Sequence, residues 1–392
     1  MSLAKGNPMD DMDRRKFLEM STLLGLGSVL GTGFGVTDAE AARFKGKVLV
    51  IGAGAAGLSA GLHLKKMGIP FTVLEASGGF GGRMKVNRGF ADFPIPLGAE
   101  WLHTSPGVFS KIAGSGASVK TVGYKSSDRY LEVSGGEASE SRLGGYRDRK
   151  FVNSSWYDFF RQFVHPVVSS NIRYGQSVSR IDYSGNQVQV STRSGGRFTA
   201  DKVLVTVPLK MLQSGSIRFQ PALPSSKQSA IRSAKAWPGL KMFIQFSKKF
   251  YPTFVEYDLP ISQGMKAYYD AAYGQNSNRA ILGLFTVGNA ALPFMSGNAR
   301  GRAIAELDKV FDGQASRYYV KHMVQNWSAE PNIRAAYLRD NERVSTVKAL
   351  YKPVGRKIFF AGEAYTSGND WGSVHTAALA AKSAIKKLVS SG

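Results

Sequence analysis

The chain has 392 residues, 51 Lys and Arg against 28 Asp and Glu, a net charge of +23 and no cysteine. That excludes disulfides, thiolate metal sites, cysteine nucleophiles and any cysteine-linked cofactor, and five scattered histidines leave no metal site to expect. The length suits two domains, and 43% apolar residues with 11% aromatics suit a globular chain with a sizeable core.

Asp13-Arg14-Arg15-Lys16-Phe17-Leu18 precedes a moderately apolar, glycine-containing stretch, Met20 to Val36, and then the small-residue site Ala39-Glu40-Ala41. This is the layout of a twin-arginine (Tat) export signal over residues 1–41, so a periplasmic or otherwise exported location is expected. The stretch is short for a membrane span, and an uncleaved anchor is the competing reading.

Lys47-Val48-Leu49-Val50-Ile51 is a continuous apolar run of the kind that forms a buried parallel strand. Gly52, Gly54 and Gly57 follow at G-x-G-x-x-G spacing, with Ala56 inside the motif and a helical segment running to about Lys66. A second apolar run, Phe71 to Leu74, ends in Glu75, 18 residues after Gly57. Strand, glycine turn, helix, strand and acid in that order point to a dinucleotide: Gly52 for the tight turn, Gly54 for the pyrophosphate, Gly57 for helix packing, Glu75 for a ribose hydroxyl. The phosphates would meet unpaired N–H groups at the helix N-terminus.

Gly78-Gly79-Phe80-Gly81-Gly82-Arg83 offers backbone that can press against a ligand, with Arg83 as a phosphate partner. Gly98-Ala99-Glu100-Trp101-Leu102-His103 comes next. Residues 104–170 mix Gly/Ser-rich loops with an apolar-aromatic helix, Trp156 to Val168. Residues 172–207 alternate strands and turns, with Val178 at the head of the first clear strand and Val205-Thr206-Val207-Pro208 at the end of the last. Strands are expected at Lys241 to Phe246, Ala267 to Tyr273 and Ala280 to Thr286, and a helix at Ala299 to Asp308. Near the C-terminus, Lys357 to Ala361 is a buried strand ending in Gly362-Glu363, and Val374 to Leu388 has helical spacing.

Taken together these blocks resemble the flavin-containing amine oxidase family, which includes polyamine oxidases, monoamine oxidases and lysine-specific histone demethylases. The resemblance rests on Gly52 to Gly57 with Glu75, on Gly81-Gly82-Arg83 with Asp92, and on Gly98 to His103. It continues through Val178 with Val205 to Leu209, Lys241 to Phe246, and Trp327, Pro331, Arg334 and Tyr337. It ends on Phe360 to Glu363 with Val374 to Ala377.

The resemblance implies an α/β architecture: a discontinuous Rossmann-like FAD-binding domain (44–103, 171–210 and 326–392) beside a mixed α+β substrate domain on a β-sheet (104–170 and 211–325), its helical lobe reduced. It implies noncovalent FAD held by Gly52, Gly54, Ala56, Gly57, Glu75, Gly82, Arg83, Gly98, Ala99, Glu100, Trp101, Val178, Gly362, Glu363 and Val374. Glu75 would hold the adenosine ribose, Arg83 the pyrophosphate region, Val178 the adenine, Glu363 the ribityl or pyrophosphate, and the Val374 amide the pyrimidine edge. Lys241 would stand near flavin N5 through a water, and Tyr337 would form one wall of an aromatic cage. His103 is either a structural histidine or part of the substrate entrance, and Trp371 either a site wall or ordinary packing. Glu100 has a structural reading beside its place in the cofactor set. Ser373 falls where monoamine oxidases carry the second cage tyrosine.

The implied reaction moves a hydride equivalent from an amine α-carbon to flavin N5 and yields an imine. An amino-acid oxidase or desaturase of the wider superfamily, or a non-catalytic FAD-stabilised subunit of an envelope complex, are the alternatives. The surplus positive charge favours an acidic electron acceptor (a cytochrome or quinone system) or an anionic envelope surface, with oxygen as the other acceptor and no nucleic acid. The basic residues are dispersed, so a solvated basic surface competes with a dedicated anion-binding face. The same charge, with few acids in 104–170, points to a monoamine, an amino-acid-like amine or an amine on a larger molecule rather than a small polyamine.

Overall fold

The computed structural model describes residues 44–391. The arginine pair and the apolar stretch on which the export expectation rests lie outside the described residues. Among the described residues no helix is long and apolar enough to cross a membrane.

The first body is built on a five-stranded parallel sheet. Its spatial order is 172–173, 71–74, 48–51, 202–205, 358–360. Val48–Ile51 and Lys202–Val205 are buried along their whole length, as strands covered on both faces must be. The helices Ala55–Lys66 and Val374–Ser390 pack together on this sheet, and alanines such as Ala60, Ala377, Ala381 and Ala384 let them approach closely. Strand order reverses on either side of Val48–Ile51, because the chain leaves it first for one neighbour and later for the other. In sheets of this kind a crevice opens there, beyond the carboxyl ends of the strands. A four-stranded sheet (197–200, 188–192, 178–182, 218–220) caps the same body.

The second body is a seven-stranded sheet in the order 319–326, 239–246, 280–288, 264–270, 254–257, 129–134, 137–142. Its long strand Gly239–Phe246 shows how period-two alternation sorts side chains. Leu240, Met242, Ile244 and Phe246 join a core with Ala303 and Leu307 of the helix Ala299–Val310. Phe243 instead packs with Phe254, Tyr269 and Trp327 on the opposite face. Lys241, between Leu240 and Met242, therefore points the same way as Phe243, toward the first body.

The structure divides residues 104–170 differently from the sequence expectation. The aromatic helix Trp156–Phe163 buries Trp156, Phe159 and Phe160 in the core of the parallel-sheet body, not in a substrate lobe. Part of the supposed loop region is a hairpin, Arg129–Ser134 with Glu137–Arg142, that extends the seven-stranded sheet. Gly135 and Gly136 supply its positive-φ turn (φ 59° and 93°). The boundary expected at 210 also moves: Arg218–Gln220 pairs with the first body's 178–182 strand, and the chain enters the second sheet at Gly239.

Leu307 is wholly buried between that helix and the sheet. Leu307→Ala should cost about 2–5 kcal/mol of stability, as large-to-small core changes do. Chemical denaturation of the purified protein measures this, and FAD retention below the transition should be unaffected because Leu307 lies on the far face.

Candidate active site

The carboxyl ends of four parallel strands converge on one cavity. Gly52 follows the first, Glu75 the second, Thr206 the third and Gly362-Glu363 the last, and all line the same space of about 620 Å³. The cavity continues from there to the inner face of the seven-stranded sheet.

The glycine turn has the shape a dinucleotide requires. Gly52 sits at φ +107°, a conformation that side chains disfavour. A Cβ on Gly57 would stand 1.8 Å from the Gly52 carbonyl oxygen, so helix and turn are in backbone contact there. A Cβ on Gly54 would meet nothing within 4 Å, because Gly54 faces the open cavity. Gly54 is also the N-cap of the helix Ala55–Lys66, and no side chain caps it. The orphan N–H groups of that first turn are left for an anion. Glu75 is held in place by two backbone donors, Ala53 N–H to Oε2 at 2.6 Å and Ser77 N–H to Oε1 at 2.8 Å. Each oxygen keeps a lone pair for a ribose hydroxyl.

Arg83 and Glu363 form the next layer. Arg83 Nη1 donates to Glu363 Oε1 at 2.9 Å and to the Ala336 carbonyl at 2.5 Å. Glu363 Oε2 accepts from Leu338 N–H at 3.1 Å. Glu363 thus ties Arg83 to the segment that carries Tyr337, and the remaining N–H groups of Arg83 are available to a phosphate. Gly98 lies against the Arg83 carbonyl oxygen, where a Cβ would come within 1.9 Å. At the far end of the cavity Val178 sits beside Gln176, Ser177 and Arg193. The helix Val374–Ser390 aims its N-terminus into the cavity, and the Val374 amide, in its first turn, has no intrahelical acceptor. These residues suit FAD: an anion cradle, a fixed ribose acceptor, a free guanidinium edge and a second helix N-terminus, in one continuous groove.

Every residue assigned to the site from sequence lines this cavity except Gly57, which is spent on packing. Two assignments change in content, those of Ser373 and Glu100. Ser373 is not a cage wall. It is the N-cap of the last helix, its Oγ accepting from Thr376 N–H at 3.3 Å while Thr376 Oγ1 accepts from Ser373 N–H at 3.2 Å. Glu100 is committed to a buried ion cluster: Oε2 accepts from Lys241 (2.5 Å) and the Tyr269 hydroxyl, while Oε1 lies 3.1 Å from Lys150 Nζ as an ion pair without a hydrogen bond. Lys241 keeps its expected place on the cavity wall, its Nζ buried in that cluster 5.0 Å from the centre of the Trp101 ring.

Tyr337 and Trp371 stand on the cavity wall. The Tyr337 ring rests on Gly372, whose φ of +82° keeps backbone rather than side chain against it. Burial, then the Asp340 and Glu363 charges, raise the Tyr337 phenol well above its usual range, so it stays neutral. Trp371 is fixed by its indole N–H to the Arg339 carbonyl at 2.8 Å. Burial works against charge on His103. The Asp148 carboxylate, 2.8 Å from Nδ1, together with Asp370 and Asp340, outweighs it and raises the imidazole above its ordinary value.

Sequence reasoning missed the acids of this chamber. Asp148, Glu256, Asp340 and Asp370 all line it, from four separate segments. Asp340 is pushed up to about 6 by burial, against the pull of the Trp237 indole N–H at 3.1 Å. Asp340, three residues beyond Tyr337, and Asp370, next to Trp371, carried a local hint of their place; Asp148 and Glu256 carried none.

A family model described as flavin containing amine oxidoreductase matches residues 55–171 and 162–385. Human lysine-specific histone demethylase 2 is 26% identical over 81% of this chain and half of its own length. Polyamine oxidase 4 of Oryza sativa subsp. japonica is 29% identical over 62% of this chain and half of its own. The mouse lysine-specific histone demethylase 1B is 31% identical over 50% of this chain and 25% of its own. The chain therefore spans a quarter to a half of the length of these curated relatives. Among solved structures, wild-type putrescine oxidase bound to putrescine shares the fold, with a TM-score of 0.71 at 14% identity, covering 87% of this chain and 98% of that one.

Two glycine substitutions separate cradle from packing. Gly54→Ala should leave the flavin-free protein as stable as the parent while weakening FAD binding at least tenfold, because its Cβ enters ligand space. Gly57→Ala should lower the melting temperature of the flavin-free protein itself, because its Cβ meets backbone. Glu75→Ala should weaken FAD binding by about 1.5–3 kcal/mol, the range for hydrogen bonds to a charged group. Thermal melts of apoprotein and FAD titration by flavin fluorescence read all three.

Proposed function

This chain belongs to the flavin-containing amine oxidoreductase family, and from that membership we propose that it oxidises an amine with a noncovalently held FAD. The observation that carries the reading is the single cavity that runs from the Gly52–Gly57 turn and Glu75, past Arg83 and Lys241, to a chamber walled by Tyr337 and Trp371. FAD held in this groove would supply the acceptor for a hydride equivalent from the amine α-carbon, giving an imine open to hydrolysis.

The chain's own residues bind, orient and dry. Tyr337, Trp371 and Trp101 line the chamber with rings, and the water they exclude disfavours charge on the amine and so favours its electron-releasing form. Lys241 Nζ gives two of its N–H groups to Glu100 and the Pro96 carbonyl (3.3 Å), leaving one to fix a water at the cavity wall. His103, held charged-ready by Asp148, and Asp340 are positioned to exchange protons with the arriving ammonium and the departing product.

The substrate class follows from local rather than total charge. The protein is strongly basic, yet Asp148, Glu256, Asp340 and Asp370 give its chamber an acidic lining. These acids come from outside 104–170 in all but one case, which is why that segment alone suggested a chamber without them. An amine with a second cationic group is therefore as well suited as a monoamine. The overall positive charge supports an acidic electron acceptor or an anionic envelope surface as partner. Export by the twin-arginine route remains part of the proposal on residues 13–41 alone; changing both Arg14 and Arg15 to Lys should hold the precursor in the cytoplasm, as cell fractionation would show.

Anaerobic mixing of the FAD-loaded protein with a panel of monoamines, diamines, polyamines and amino acids tests the central reading. At least one amine should bleach the flavin absorbance; a panel that leaves it oxidised throughout would remove the enzymatic proposal. The pH dependence has a definite sign. Asp340 is neutral below about pH 6 and anionic above it. Binding of a non-oxidisable cationic amine should therefore tighten as pH rises through about 6. Asp340→Asn should flatten that limb and weaken binding at pH 8 about tenfold, on the order of 1.4 kcal/mol. Calorimetric titration at several pH values measures both.

A further inference from the structure

The wall of the cavity nearest the second sheet hides a charge cluster with an odd count. Glu100, Lys150 and Lys241 are each only 3% exposed. Lys241 comes from the 239–246 strand, Lys150 from the strand Arg149–Phe151, and Glu100 from the turn before Trp101. The one carboxylate is shared: Oε2 takes Lys241 Nζ at 2.5 Å and the Tyr269 hydroxyl, and Oε1 faces Lys150 Nζ at 3.1 Å. The two ammonium groups differ in what else surrounds them. Lys150 also donates to the carbonyls of Ala271 (2.7 Å) and Asp270 (3.3 Å) and stands behind the wall, facing three protein oxygens. Lys241 faces only two and borders the cavity.

We propose that Glu100 and Lys150 are positioning residues that together set the charge of Lys241: Glu100 holds the Lys241 ammonium against the wall, and Lys150 competes for the same carboxylate and weakens that hold. Two cations and one anion leave a net positive charge buried at the wall. Carbonyls and the ring faces of Trp101, Phe243 and Tyr269, at 5.0, 5.5 and 5.5 Å from Lys241 Nζ, are its remaining partners. A flavin ring placed against this wall would be easier to reduce, because the added negative charge meets an uncompensated cation. The inference concerns the cofactor wall and rests on the FAD placement above, not on amine turnover.

The electrostatics agree with the geometry. Burial opposes charge on Glu100, but Lys241 and Lys150 overcome it and hold the carboxyl below its usual value. Burial pushes the Lys241 ammonium down, Glu100 pulls it back up, and Lys150 pushes it down again. The titratable groups around Lys241 are Glu100, Lys150 and Tyr269, with Tyr124 behind Trp101, its hydroxyl 2.9 Å from the indole nitrogen. Burial raises both phenols well above their usual range, so neither supplies charge. The strands flanking Lys241 place Phe285 and Gln325 beside it, which do not titrate.

The test measures the Lys241 pKa directly, by NMR of protein carrying ε-carbon-labelled lysine, with the Lys241→Met spectrum for assignment. It is run with and without FAD, so failure to oxidise any amine does not affect the reading. Lys150→Met removes the competitor and should raise the Lys241 pKa by about one unit, tenfold in proton affinity. It should also lower the flavin midpoint potential. Glu100→Gln removes the anion and should lower the Lys241 pKa by at least as much. Opposite shifts from two neighbouring substitutions are the signature of a shared counterion; a merely structural role moves the pKa in one direction for both or not at all, and either result overturns the proposal. Should Glu100→Gln fail to fold, Lys150→Met decides alone: an unchanged or lowered Lys241 pKa refutes it.

Discussion

A buried carboxylate, Glu100, reaches from one body of this protein into the other, beside an apolar cluster of Phe90, Phe93, Phe243 and Trp327 that also spans them. It leaves the nucleotide-binding body in the turn before Trp101 and ends among Lys150, Lys241 and Tyr269, which belong to or pack on the seven-stranded sheet. Breaking a buried pair by removing one partner typically costs several kcal/mol, because the other charge is stranded without water. The position of the substrate chamber against the cofactor groove therefore depends on this contact. On the other side of the groove the Arg83–Glu363 pair does the equivalent task, tying the glycine-rich loop to the C-terminal strand and to the segment that carries Tyr337.

Between those two anchors the protein keeps a groove that its own side chains do not fill. The parallel sheet creates the opening where its strand order reverses, and glycines at 52, 54 and 98 keep the backbone close to it. The inner face of the second sheet closes the far side with Lys241 and aromatic rings. An aromatic wall and a set of carboxylates thereby meet in one cavity, inside a chain whose net charge is +23.

The parts legible in the sequence are those whose physics is local. A strand, a G-x-G-x-x-G turn, a helix and a terminal acid lie within thirty residues or so, and each residue's task follows from its own neighbours. Lys241 was singled out through the resemblance to the family's lysine-bearing strand, and strand alternation then accounts for the side it faces. The acids of the chamber were not, because Asp148 meets His103 across 45 residues of chain and Glu256, Asp340 and Asp370 converge only through tertiary folding. Lys150 was silent for the same reason. The hairpin 129–142 hid because its outer strand, Glu137–Arg142, is exposed at every position and has no apolar alternation, although Gly135-Gly136 marked its turn. Ser373 was read by its counterpart in relatives; a serine just before a helical run is also an N-cap signal, and that local reading is the one the structure follows.

The central claim is spatial: FAD would run from Glu75 past Arg83, with its ring between Lys241 and the Tyr337–Trp371 wall. A crystal structure of the FAD-loaded protein tests it most directly. The account predicts ring density within one water of Lys241 Nζ and adenosine density at Glu75 and Val178. A flavin bound with its ring away from Lys241, or outside the cavity that Gly52 and Glu363 share, would contradict it.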